Sequence, residues 1–282
     1  MKKYEFEINN VPVEVNSYLD EANLEKEELI DSILKQTKPN RYIGYGGWIK
    51  EEYFKKSLEL SLKSNEEMKN KKFRISDKEH IEEIKKALEK CSSVLEKKLY
   101  IFTFPTYSKF ISEKMNGAGG STPYKNIFYL KIPPHENKEK QKESIQHTVA
   151  HEIGHALSEE PNLYSSPSRM FKEEGLNEHF REEKIGGGRD PWTKAISKEK
   201  AMEIFNEIKE QSKLYKTDRK SHREIFFGTG KYPLWSGYTI GYYLIEDYLN
   251  SLKDKENIDW KKFFKTPSKK IIDSIIEKYS KD

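Results

Sequence analysis

The stretch His151-Glu152-Ile153-Gly154-His155 constrains this chain more than any other. Two histidines four residues apart share one metal ion only if they stand one turn apart on the same face of a helix, with Glu152 beside them. The flanking residues allow such a helix. Residues 139–150 contain no proline, Ile145, Val149, Ala156 and Leu157 can form its buried side, and Pro161 ends the run. A hydrolytic zinc site takes three protein ligands and leaves one position open for water, so the fold must bring a third ligand to His151 and His155 from another element. The expected complement is one zinc ion per chain.

Three patterns for that ligand can be compared. A third histidine six residues after the second, with a glycine three after it, is excluded because those positions hold Pro161 and Ser158. A cysteine ligand would have to be Cys91, the single cysteine, which lies in a charged stretch with no supporting motif. A glutamate on a separate helix fits Phe171-Lys-Glu-Glu-Gly-Leu-Asn-Glu-His-Phe180, where Glu174 is the preferred ligand, with eighteen residues between it and His155. Glu178, one turn on, is placed to accept the free N–H of a liganding histidine and fix its tautomer. Glu173 and His179 remain open as alternative ligands.

Composition narrows the class. The 282 residues carry 51 basic and 47 acidic side chains, a net charge of +4, with the two signs interspersed rather than gathered in one basic stripe. Nucleic acid is therefore not an expected partner. One cysteine excludes an intrachain disulfide and a cysteine-rich metal knuckle, and Cys91 reads as a buried small side chain. The amino terminus has two lysines but no apolar run behind them, and no stretch reaches transmembrane length. No membrane partner and a cytoplasmic location are expected; the sequence leaves oligomeric state open.

Local patterning gives an α+β, predominantly helical chain. Residues 3–8 and 11–15 alternate as strands around an Asn9-Asn10 turn, and charged amphipathic stretches follow at about 20–36, 51–69 and 77–98, interrupted by the Gly44–Trp48 loop. Ser76 is placed to cap the third. Leu99–Phe104 and Asn126–Ile132 read as strands ended by prolines, and helices dominate thereafter. The expected division is an N-terminal hairpin and helical region, 1–98, and a catalytic region, 99–282. The loop Gly117-Ala-Gly-Gly120 lacks both the Lys-Ser/Thr of a phosphate-binding loop and the GxGxxG spacing.

Taken together, the HExxH helix, Glu174-Gly-Leu-Asn-Glu-His-Phe180 and Ser236-Gly-Tyr-Thr-Ile-Gly-Tyr-Tyr-Leu-Ile-Glu-Asp-Tyr-Leu249 resemble the YjaZ-like family of predicted zinc-dependent proteases. The resemblance covers roughly Tyr100 to Tyr248. It implies a gluzincin-like fold with a small antiparallel or mixed sheet before the HExxH helix, a single catalytic zinc and hydrolysis of peptide bonds in a peptide or protein substrate. It further implies that Ile127–Ile132 is a sheet edge pairing with extended substrate, with Gly119, Gly120, Phe128 and Tyr129 lining the binding strip. Glu152 is then the general base that takes a proton from the attacking water and returns it to the leaving amine. Tyr238, on the Gly-Tyr-x-x-Gly-Tyr helix, is the expected donor to the developing oxyanion, with Tyr242 a lesser one and core packing the competing reading for both. The rival functional class is a zinc-binding module that binds peptide or protein partners without cleaving them.

Overall fold

The computed structural model describes residues 1–21, 25–37, 66–124, 126–158, 166–252 and 257–279, with Glu160 and a few positions between 55 and 62. The Gly44–Trp48 loop and most of the 51–69 stretch lie outside the described residues. The chain forms two compact units, Met1–Ala156 and Leu157–Asp282.

Unit 1 is built on a five-stranded mixed sheet in the order β1-β2-β3-β5-β4. Strands β1 (Lys2–Ile8) and β2 (Val11–Ser17) form the expected hairpin. Asn9 and Asn10 both take left-handed φ, 48° and 63°, as a two-residue turn matched to strand twist demands. Strand β2 then runs parallel to β3 (Leu99–Pro105), β3 parallel to β5 (Ile127–Ile132), and β4 (Gly119–Tyr124) antiparallel to β5.

This order corrects two expectations. A boundary at 98/99 would cut through one sheet, because Val13–Ser17 pair with Leu99–Thr103. Strand β5 is interior, and among the described residues the outer strands are β1 and, beside β5, β4. Phe128 and Tyr129 are both buried, and successive strand residues point to opposite faces. Tyr129 joins the cluster of Phe102, Phe104, Ile127 and Tyr18 with Leu29, Ile30 and Ile33 of α1 (Lys26–Thr37). A strand with apolar residues on both faces looks the same in sequence whether central or marginal.

The short helix α2 is Glu66–Lys69. The opposite sheet face carries α3 (Asp77–Lys90) and α5 (Lys138–Leu157), while α4 (Lys109–Lys114) precedes β4. Helix α3 starts at the expected Ser76 with a full capping box: the Ser76 hydroxyl accepts from the Glu79 N–H and the Glu79 carboxylate accepts from the Ser76 N–H. His80 of α3 reaches Thr103 Oγ1 at 3.1 Å. Cys91 is buried.

Unit 2 is helical: α6 (Pro167–Lys184), α7 (Lys198–Glu210), α8 (Arg219–Phe227), α9 (Ser236–Asn250), α10 (Trp260–Lys265) and α11 (Ser268–Tyr279). Helix α6 starts on Pro167, whose missing N–H costs nothing there, and is buried on nearly all sides. Its closest neighbour is α9. A methyl on Gly175 would overlap the Gly241 carbonyl, and one on Gly241 would lie 2.5 Å from the Phe171 carbonyl oxygen, so each glycine is required by a backbone approach. No helix among the described residues is long and apolar enough to cross a membrane.

Candidate metal centre

Helix α5 is pinned along its first half by polar contacts. Gln141 Nε2 donates to the Gly117 and Pro133 carbonyls at 3.1 and 2.7 Å, and Ser144 Oγ donates to Met115 O at 3.1 Å. Gln146 Nε2 donates to Glu83 of α3 at 2.5 Å. These contacts fix the rotation of the helix. His151 and His155 then share one half-buried face, with ring centroids 5.0 Å apart.

Glu152 is buried against the outer strand β4, at 5% exposure. Thr122 Oγ1 donates to its Oε2 at 2.6 Å. A methyl on Gly120 would overlap its carboxylate, lying 2.5 Å from Cγ and 2.6 Å from Cδ. The glycine is there so that backbone can approach this side chain, whereas Gly119 faces Ile111. The Glu152 charge also reaches Lys131 on β5, whose ammonium burial pushes down while Glu152 acts the other way.

On α6, three of the four acidic or histidine candidates are held by unit 2. Glu173 accepts from Arg169 Nε and Nη2 at 3.0 and 2.8 Å and from Ser158 at 2.6 Å. His179 Nε2 donates to the Tyr242 carbonyl at 3.1 Å, and its ring stacks on Tyr242 at 4.3 Å. Glu178 Oε2 accepts from the fully buried Arg181 at 2.9 Å and its Oε1 from Trp192 Nε1 at 2.7 Å. Glu174 is also buried, and its carboxylate is felt by His222 of α8. Burial pushes the His222 imidazole down and Glu174 opposes that shift.

Among the described residues, one group of His, Cys, Asp and Glu side chains could hold a metal ion: the ligand atoms of His151, His155 and Glu174 lie within 4.8 Å of one another. Ligand atoms on a tetrahedral zinc with bonds near 2.1 Å are about 3.4 Å apart, a spacing of the same order. Two imidazoles and one carboxylate are also the ligand chemistry of a zinc site that keeps a position open. The residues fit the ion.

Residues 80–273 match the family described as "Predicted Zn-dependent protease (DUF2268)". The chain belongs to this family. No curated protein matches it. The match takes in the sheet from β3 onward, helices α5 and α6, and α9 with its Gly-Tyr-x-x-Gly-Tyr run.

Within that run the two tyrosines differ. Tyr242 is buried; its hydroxyl donates to Glu182 at 2.8 Å and accepts from Arg189 Nε at 3.0 Å. Burial and Glu182 push that phenol well above its ordinary range. Tyr238 is half-buried, its ring edge-on to Phe226 at 5.4 Å. The glycines serve packing: Gly241 meets the Phe171 backbone and Gly237 the Phe226 ring. Sequence reasoning missed Thr122, Lys131 and His222. No spacing rule marks a strand threonine as the partner of a helix carboxylate, and His222 sits in a charged run, Arg219-Lys-Ser-His-Arg223, that reads as a solvated face.

Proposed function

We propose that the protein is a zinc-dependent peptidase of gluzincin type, in which His151, His155 and Glu174 hold one zinc ion and Glu152 carries the proton. The observation that carries this reading is the convergence of those three ligand atoms within 4.8 Å, with Glu152 next in sequence to His151. Bound zinc supplies a Lewis acid that makes water nucleophilic near neutral pH and polarises the scissile carbonyl.

The chain's own residues supply the rest. Glu152 takes a proton at one carboxylate oxygen from the attacking water and passes it to the amine nitrogen as that leaves. The Thr122 hydroxyl, donating to Oε2, fixes the plane of the carboxylate and leaves Oε1 for the proton. Gly120 keeps space for this rotamer. Extended substrate pairs with β4, with Gly119 and Gly120 on the strip; the interior position of β5 removes Phe128 and Tyr129 from that role. Glu178, already holding Arg181 and Trp192, accepts the outer N–H of a liganding histidine, and Tyr238 donates to the developing oxyanion.

Turnover of a mixed library of internally quenched peptides tests the reading. The zinc-loaded protein should cleave some members, a chelator should stop cleavage and zinc should restore it. Glu152→Gln should keep its zinc and lose at least about a hundredfold in kcat. Full turnover by that variant on any cleaved peptide would remove Glu152 from the role.

A further inference from the structure

Helix α8 carries an unusual concentration of charge. The chain has seven arginines, and Arg219 and Arg223 stand one turn apart on this nine-residue helix with Lys220 between them. The three line an open pocket of about 700 Å³ with Asp218, Glu224 and Thr229. None has a carboxylate within 4.0 Å among the described residues, whereas the helix α6 and α6–α7 loop arginines, Arg169, Arg181 and Arg189, are all ion-paired.

The pocket's own acids do not neutralise them. Asp218 is spent as the helix cap, accepting from the Lys220 and Ser221 N–H groups at 3.1 and 2.9 Å and from the Ser221 hydroxyl at 2.6 Å. Its charge remains, so three cations face two carboxylates, Asp218 and Glu224, and the pocket keeps an excess of positive charge. Stability does not ask for Arg219 and Lys220 either, since cations in the first turn of a helix oppose its dipole. Arginine is the side chain that grips a carboxylate with two parallel N–H bonds.

The same helix faces the proposed metal ligand. At about 100° per residue, Arg219 and Arg223 lie on the strip of helix surface next to His222 and Phe226. His222 stacks on Phe226 at 5.0 Å, and the Phe226 ring packs at 5.7 Å on Phe171 of α6, three residues before Glu174 on that helix. We infer that Arg219, Arg223 and Lys220 form a specificity pocket for the acidic side chains of a polypeptide substrate, so that glutamate- or aspartate-rich segments are preferred. This rests on the peptidase reading and adds its substrate class.

The test uses three fluorescein-labelled decapeptides: one with four glutamates and an amidated C-terminus, one with glutamines in their place and also amidated, and the glutamine peptide with a free C-terminal carboxylate. Anisotropy is followed on the full zinc-loaded chain in a Glu152→Gln background, which keeps the probes intact. The glutamate peptide should bind at least about tenfold more tightly than either glutamine peptide. Arg219→Gln with Arg223→Gln should abolish the difference, and the double lysine replacement should keep part of it. All three positions are exposed, so these variants should keep the wild-type circular dichroism and zinc content. Equal binding of the peptides, no binding, a preference carried only by the free C-terminus, or a preference that survives the glutamine variant would each overturn the inference. Library turnover by the wild type, measured beside it, reports separately on the peptidase reading: its absence sinks that reading whatever the anisotropy shows.

Discussion

At the scale of single residues, the proposed chemistry depends on what touches Glu152. A methyl at position 120 overlaps its carboxylate, while one at 119 meets only the flexible end of Ile111 at 3.2 Å. Gly120→Ala should therefore lower kcat by about ten- to a hundredfold with zinc content unchanged, and Gly119→Ala should stay within about threefold, read as turnover beside elemental analysis. Equal effects at the two positions would contradict the contact. His179 gives a second test, in pH. Burial against Tyr242 holds its folded pKa below the ordinary value of 6.5, so in the window below about 6.5 the unfolded chain takes a proton that the folded chain refuses. Stability from this group is present at neutral pH and is lost as pH falls towards the depressed pKa. Denaturant unfolding of metal-free wild type and His179→Gln at pH 7.0 and 5.5 should show the wild type losing more on acidification, and a constant gap between them would count against the shift.

At the scale of elements, the sequence was most legible where a pattern has one physical cause. Asn9-Asn10, the Ser76 capping box and the unbroken run into His155 each dictate a local conformation, and each element formed as patterned. The position of β5 was not legible, because apart from Lys131 the run Ile127–Ile132 carries apolar residues on both faces, and alternation is what separates an edge from an interior strand. The glycine run of α9 carried two readings, and the structure supports packing for Gly241. Since Gly175 and Gly241 set the approach of α6 and α9 backbone to backbone, no side chain can yield to make room. Gly175→Ala should cost about 1–3 kcal/mol or more in unfolding free energy, measured by denaturant titration of the metal-free protein. A neutral result would mean the helices do not cross this closely.

At the scale of the whole molecule, the spacing of His151, His155 and Glu174 along the chain does not say how the fold delivers them. The preference for Glu174 over Glu173 and His179 has a physical basis only in three dimensions: Arg169 and Ser158 hold Glu173, and the Tyr242 backbone and ring hold His179. The N-terminal hairpin likewise reads as a separate piece until its pairing with β3 makes it part of the sheet that backs α5. If His151, His155 and Glu174 make one zinc site, metal content reports it without knowledge of the substrate. Elemental mass spectrometry on the purified full chain supplied with zinc should give about one zinc per wild-type chain and a sharp loss in Glu174→Ala, with the fold intact by circular dichroism. No zinc in the wild type, or full occupancy in the variant, would mean that these three residues do not make a zinc site.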